Sequence, residues 1–394
     1  MGSPRKVTEN HAKPDAVASA SQASSDALLD LLAEVGRDPQ ARDHIVQALK
    51  VIEQKVHLPK ERSVREELTG PMTDALFRNA GVLRKELKDG VIFDFVYRSK
   101  IARDLLLSPD KRPDHIFEPQ TTRLFLHLAK GAMHIVVGGA YAGDHAIPCA
   151  KTVSKHGGVV HAFEPNDEQR FLLAHNAKLN GVSNTVRAVA LGLWDSDGTT
   201  LQLVGTDALA RAVPVHGKAR KGAVILPATS LAAYTAMRAI KTIDLILLDI
   251  EGSELRALRG ALPFLEQPKG QAPNIIFEVH RNYVDWSRGL ENTEIVRFLT
   301  GLGYIVYAVR DFQSNVSMRG CKVELVTLDG VYLEGPPHGF NMLAVKDRRT
   351  VRDPLFRVLK HASPKLLLHK SPRLHWPTEW RRRRSLSRHQ GRCP

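Results

Sequence analysis

The apolar positions of this chain change rhythm near residue 134. Beyond it, short unbroken apolar runs recur: HIVVG (134–138), VVHAF (159–163), TVRAVAL (185–191), IDLILLD (243–249), NIIFEV (274–279) and YIVYAV (304–309). Amphipathic stretches, such as 167–180 and 253–265, separate several of them. Strands apolar on both faces and alternating with helices predict a parallel sheet covered on both sides, because such strands meet no water on either face. Thr199–Val204 and Gly222–Pro227 predict an added hairpin, and FNMLAVK (340–346) the last strand.

Upstream the spacing is helical. Leu28, Leu29, Leu31, Leu32 and Val35 form one stripe; Asp38 then Pro39 is an N-cap followed by a first-turn proline, leading into Ile45, Val46, Leu49 and Ile52. These two helices are expected to form either a hairpin that oligomerises the chain or a helical cap on the main domain. Residues 61–130 are expected to continue mostly helical, interrupted by SPDKRPDH at 108–115. Residues 1–24 lack periodicity and are expected to be disordered. The division that results is a helical extension over 25–115, a main domain over 116–350 and a tail over 351–394.

The charge changes this picture at one end only. Of the net +14, residues 351–394 hold +10, from 12 Lys and Arg against Asp353 and Glu379. The main domain therefore gives no electrostatic argument for specific nucleic-acid binding. Prolines at 354, 364, 372 and 377 forbid a long helix in the tail. It is expected to be either a solubilising tail or a contact with an anionic surface. No run approaches 18 apolar residues, and the first 16 residues lack the apolar core of a secretory signal. The three cysteines, Cys149, Cys321 and Cys393, have no metal-ligand spacing and leave an odd thiol, so a reducing, cytoplasmic location is expected.

Candidate chemistry clusters at strand ends. VVGGAYAGDHAIP (136–148) is a strand, a glycine turn and a helix start, a place where backbone can approach an anionic or polar ligand. A dinucleotide fingerprint would need Gly at 138, 140 and 143, but residue 140 is Ala, which counts against a nucleotide-dependent oxidoreductase. Glu164 ends the next strand, 21 residues after Gly143, where an acid can accept from both ribose hydroxyls of a nucleoside. The run IDLILL ends in Asp249, Ile250 and Glu251, two acids that need a ligand or partner at a cleft unless they only cap the next helix. Glu278 and His280 end the strand after that.

In order and spacing, GGAYAG, HAFEPNDEQRFLLAHNAKLNG, AVALGLWDSDGTTL, IDLILLDIEGSELRALRGA and NIIFEVH resemble successive motifs of the FkbM family of S-adenosylmethionine-dependent methyltransferases, over roughly 118–310. The resemblance implies a Rossmann-like class I methyltransferase fold: a seven-stranded, mostly parallel α/β sheet with helices on both faces, here with an N-terminal helical extension and a basic C-terminal tail. It also implies methylation of a hydroxyl oxygen on a sugar, glycan or small metabolite, with S-adenosylmethionine as cofactor. Carried over, Gly139, Ala140 and Gly143 would wrap the methionine part, Glu164 the ribose, and Ala190 and Leu191 the adenine, while Glu118 with Thr121 would close over the cofactor. Asp249 would face the sulfonium and Glu251 the acceptor, with Glu278 and His280 as further catalytic candidates and no metal. One position departs from the family pattern: Val137 stands where an acid is usual, and Asp144 could compensate from the first helical turn. That departure keeps open a catalytically inactive scaffold on the same fold.

Overall fold

The computed structural model describes residues 14–56, 58, 63–204, 211–215, 224–312, 315–317, 320–331, 339–366 and 377–378. The chain divides into two compact units, Met1–Leu83 and Arg84–Pro394.

In the first unit a helix runs from Pro14 to Val35, so the described part of the segment expected to be disordered is helical from residue 14 onward. A second helix, Pro39–Lys55, starts as its cap predicts, with Asp38 accepting from the backbone N–H of Gln40 at 2.8 Å. Leu28, Leu31 and Val35 of the first helix remain exposed.

Over residues 82–96 a hairpin stands in place of the expected helix. Strand β1 (Val82–Glu86) and β2 (Ile92–Val96) turn at Asp89-Gly90, where Gly90 has φ 78°. The alternation Phe93, Asp94, Phe95 is a strand pattern closed by an Asp-Gly turn, and it overrides the helical expectation. Phe93 and Phe95 are buried, while the backbone of Ile92 and Asp94 is bound by the amides of Asn180 and Asn176.

Among the described residues the main sheet has nine strands rather than seven. In chain order the strands after the hairpin are β3 (His134–Gly138), β4 (Val159–Phe163), β5 (Val186–Val189), β6 (Gly192–Leu193), β7 (Thr200–Val204), β8 (Arg211–Pro214), β9 (Ile225–Thr229), β10 (Leu245–Leu248), β11 (Asn274–Val279), β12 (Ile305–Arg310), β13 (Val323–Thr327), β14 (Phe340–Val345) and β15 (Phe356–Leu359). The sheet order is β15-β13-β12-β14-β11-β10-β3-β4-β5. From β11 to β5 every pairing is parallel; β14 is antiparallel to both its neighbours, and β12 to β13. The two strands beyond the expected seven are β13 and β15. A separate four-stranded sheet, β6-β9-β7-β8, contains the predicted hairpin partners with β7 paired antiparallel to β9.

Because β15 pairs with β13, the fold does not stop at residue 350. Ser363 and Leu366 are buried, and Arg310, fully buried on β12, pairs with Glu324 at 2.7 Å and donates to the Ser363 carbonyl at 3.0 Å. The expectations for residues 367–376 and 379–394 lie outside the described residues. No helix among the described residues is long and apolar enough to cross a membrane.

Register positions the site. Gly138 pairs with Phe163 of β4 and with Leu248 of β10, so these three strands end level with one another. Strand order turns at β3, from which the chain proceeds first to β4 on one side and later to β10 on the other. Crevices form outside the carboxyl ends of strands at such a point.

Candidate active site

The loop after β3 is shaped by its neighbours. Gly139 has φ 75°, and a Cβ on it would overlap the carbonyl oxygen of Asp249. Only glycine lets the two strand ends approach this closely. Gly139 and Ala140 donate their N–H groups to the Phe163 carbonyl at 3.1 and 3.0 Å. Gly143, φ 99°, faces Ile147 and Leu173, where a Cβ would clash. Ala140 and Gly143 therefore set the turn and do not line the cavity, whereas Gly138, Gly139 and Tyr141 do.

Glu164 closes one wall of that cavity. Its two carboxylate oxygens accept from the backbone N–H groups of Tyr141 and Asn166, each at 2.9 Å. A carboxylate has about four acceptor sites, so two remain for a ligand. Burial pushes the Glu164 carboxyl up to about 7, against the two N–H groups that favour its charged form. Leu191 also lines the cavity; Ala190 is exposed and does not. Val137 is buried within the sheet, and Asp144, from the turn beyond, lines the cavity in its stead.

The acids after β10 divide by role. Glu254 turns back, and its Oε1 accepts from the N–H groups of Ile250 at 3.0 Å and Gly252 at 3.3 Å, so this acid does the capping. Asp249 and Glu251 are left facing the cavity. Burial raises Asp249 to about 6, with His145 pulling down and Asp144 pushing up. Glu251 sits at φ 52°, a conformation that costs a non-glycine residue free energy and clusters at functional sites. Burial and the Asp249 charge lift Glu251 to about 7, opposed by a hydrogen bond to Tyr283.

Glu278 joins them: one oxygen each from Asp249, Glu251 and Glu278 lies within 4.8 Å of the others. Burial, then the charges of Asp249, Glu118, Glu251 and Glu254, hold Glu278 well above the usual carboxyl range. Both Glu278 and His280 pack on Gly339. Burial and the Lys365 charge lower the His280 imidazole, which favours a neutral ring. Glu118, φ 45°, accepts from Asn341 at 2.6 Å and is held well above its ordinary range by burial and by Asp311 and Asp249. It lies beside the acidic cluster and not on the cavity wall.

Residues 138–306 match the family model described as the methyltransferase FkbM domain. The chain carries an FkbM methyltransferase domain. No curated protein matches the sequence. Among solved structures, the FkbM methyltransferase from Methylobacillus flagellatus is similar at 18% identity, covering 38% of this chain and 33% of that one, with a TM-score of 0.25. An O-methyltransferase from Bacillus cereus in complex with SAH is similar at 17% identity, over 58% of this chain and 80% of that one, with a TM-score of 0.32. TomG, an O-methyltransferase of Streptomyces achromogenes involved in tomaymycin synthesis and solved with SAM, matches at 11% identity over 58% and 80%, TM-score 0.31.

In the FkbM domain the structure brings together Gly139, Glu164, Leu191, Asp249 and Glu251 around one cavity, with Glu278 against the last two. Several neighbours escaped the sequence reading. Asn166, the N-cap of the helix Asp167–Leu179, also clamps Glu164 through its backbone N–H. Leu201 and Ala212 reach the cavity from β7 and β8. Lys365, buried and with its charge acting on Glu278 and His280, comes from the segment taken for a tail.

Proposed function

We propose that this chain transfers a methyl group from S-adenosylmethionine to a hydroxyl oxygen of a sugar, glycan or small metabolite. The observation that carries the reading is Glu164. A buried carboxylate, fixed from behind by two N–H groups and with acceptor capacity left toward the cavity, suits a ligand offering a pair of hydroxyl donors. The close approach of Gly139 to Asp249 fits the same ligand, because it leaves backbone, with no side chain, along the path between the two acids.

S-adenosylmethionine supplies an electrophilic methyl group on a sulfonium that is already a good leaving group. The residues of this chain then have three tasks. Glu164 and the β3 loop bind and orient. Asp249 sets a negative charge beside a cationic centre, an interaction strengthened by burial. Glu251, raised to about 7, is placed to accept the proton of an acceptor hydroxyl near neutral pH, the range in which a general base works best. Glu278 stands next to it as a second candidate, and His280, beside Glu278 at Gly339, as a third.

Isothermal titration of the purified chain with S-adenosylmethionine and with its demethylated product tests the binding half. Glu251→Gln tests the chemical half: cofactor affinity stays and turnover falls by roughly a hundredfold or more, the usual contribution of a general base. No binding of either ligand at millimolar concentration would refute the proposal.

A further inference from the structure

Ser253 occupies the N-cap position of the helix Glu254–Arg259, where a serine hydroxyl ordinarily accepts from the first turn of its own helix. It makes no such bond here. Glu254 already holds the N–H groups of Ile250 and Gly252, so the loop end has its acceptor. The hydroxyl of Ser253, a residue 5% exposed, instead donates to the Ala212 carbonyl at 3.3 Å, joining two parts of the cavity lining. Ala212 belongs to β8, the edge strand of the small sheet, which pairs only with β7 among the described residues. Ala212 and Leu201 line the same cavity as Asp249, Glu251 and Ser253.

We propose that Ser253 is a positioning residue, a latch that fastens the β7–β8 wall to the loop carrying Asp249 and Glu251 and so encloses the bound cofactor. The inference rests on the proposed function for its ligand, but the latch itself is a property of the free protein. An edge strand held on one side by a single partner belongs to the least stable part of a fold, and one crossing hydrogen bond there shifts its opening equilibrium measurably. The other end of the helix is tied independently, since Gly260 abuts the Trp194 carbonyl too closely for any Cβ and Arg256 pairs with Asp195 at 2.6 Å. Loss of the latch therefore frees the wall without releasing the helix.

The test is amide hydrogen exchange on the full-length chain, ligand-free, comparing wild type with Ser253→Ala and Ser253→Thr. One neutral hydrogen bond corresponds to about a fivefold change in an equilibrium constant. Exchange in 200–204 and 211–214 should quicken by about that factor in Ser253→Ala, with the nine-stranded sheet unchanged, and return in Ser253→Thr, which keeps the hydroxyl. The dissociation constants of S-adenosylmethionine and its demethylated product should weaken by a similar factor in Ser253→Ala alone. Unchanged exchange at 211–214 would overturn the latch, as would acceleration spread evenly over the whole unit. If Ser253→Ala loses its fold, Ser253→Cys, which keeps the volume and weakens the donor, carries the same comparison. Failure of wild type to bind either ligand would refute the proposed function while leaving the exchange result to decide the latch.

Discussion

Replacing Glu164 by Gln removes one charge and leaves shape nearly intact, and its consequences follow from the two N–H groups behind it. With its carboxyl raised to about 7, roughly half of the ligand-free protein is ionised there at neutral pH. Two hydroxyl donors favour the ionised form, so apparent affinity scales with the ionised fraction. That fraction changes about tenfold between pH 8 and pH 6, and the dissociation constant should rise by the same factor as pH falls across that range. Binding near pH 7 should also release a fraction of a proton, visible as a dependence of the calorimetric heat on the buffer's ionisation enthalpy. In Glu164→Gln most of the pH dependence disappears. The slope that remains belongs to Asp249, raised to about 6, and lies at the acid end. At pH 8 the variant forgoes a hydrogen bond to a charged group, about 1.5–3 kcal/mol, or roughly 10- to 150-fold in dissociation constant. The amide also turns an NH₂ toward the N–H of Tyr141 or of Asn166, leaving a buried donor unpaired at about 1–3 kcal/mol of stability. Titration calorimetry at pH 6, 7 and 8 on both proteins reads each of these. A wild-type dissociation constant flat from pH 6 to 8, together with an unaltered one in Glu164→Gln, would refute the reasoning and leave Glu164 a turn residue.

Three further outcomes are expected. Gly139→Ala should destabilise the unit by at least the 1–3 kcal/mol of a misplaced φ, because the methyl also meets the Asp249 carbonyl; thermal unfolding that matches wild type would contradict the close approach of β3 and β10. The ligand-free protein should lose stability as pH rises from 6.5 to 8: Glu164, Glu251 and Glu254 have folded pKa values raised by burial to about 7, so the folded state keeps protons that the unfolded state has shed, while His161, lowered by burial to about 4, opposes this only below about pH 7 and Lys365, lowered by burial to about 8, opposes it only toward the upper end, one group against three. A melting temperature that climbs over that window would contradict the raised carboxyls. Removal of residues 351–394 strips the buried Arg310 of the Ser363 carbonyl, Glu324 of the Thr378 N–H and β13 of its partner, and should cost several kcal/mol or the fold itself. Urea denaturation of the truncated chain that matches the full-length chain would show that β15 does not matter.

The central strands were legible because burial on both faces writes itself as unbroken apolar runs; β3, β4 and β11 fall on the predicted segments to the residue. The site was legible where local backbone demands a residue type: Gly139, Glu164, Asp249 and Glu251 all sit where a strand ends. What failed was long-range. Residues 82–96 alternate over too few positions to outweigh the helical neighbourhood, and only the docking of Asn176 and Asn180 reveals why the hairpin is there. FRVL at 356–359 is short and carries an arginine, so nothing local separates it from a basic tail; its pairing with β13 decides. The family resemblance put Ala190 and Leu191 together beside the adenine, but Ala190 is exposed and Leu191 lines the cavity. The division of labour among Asp249, Glu251 and Glu254 also lies beyond a pattern of letters, since any of the three could have capped the helix.

The most direct test of the account is transfer of the methyl group itself. Full-length protein is incubated with methyl-labelled S-adenosylmethionine and an extract of the host's small molecules and glycans, and the labelled product is isolated and its linkage determined. The account predicts label in a base-stable methyl ether, formed with wild type and reduced by about a hundredfold or more with Glu251→Gln. Label on nitrogen or sulfur would contradict the hydroxyl acceptor. No label in any product, from protein shown by calorimetry to hold the cofactor, would contradict the assignment of catalysis to this site.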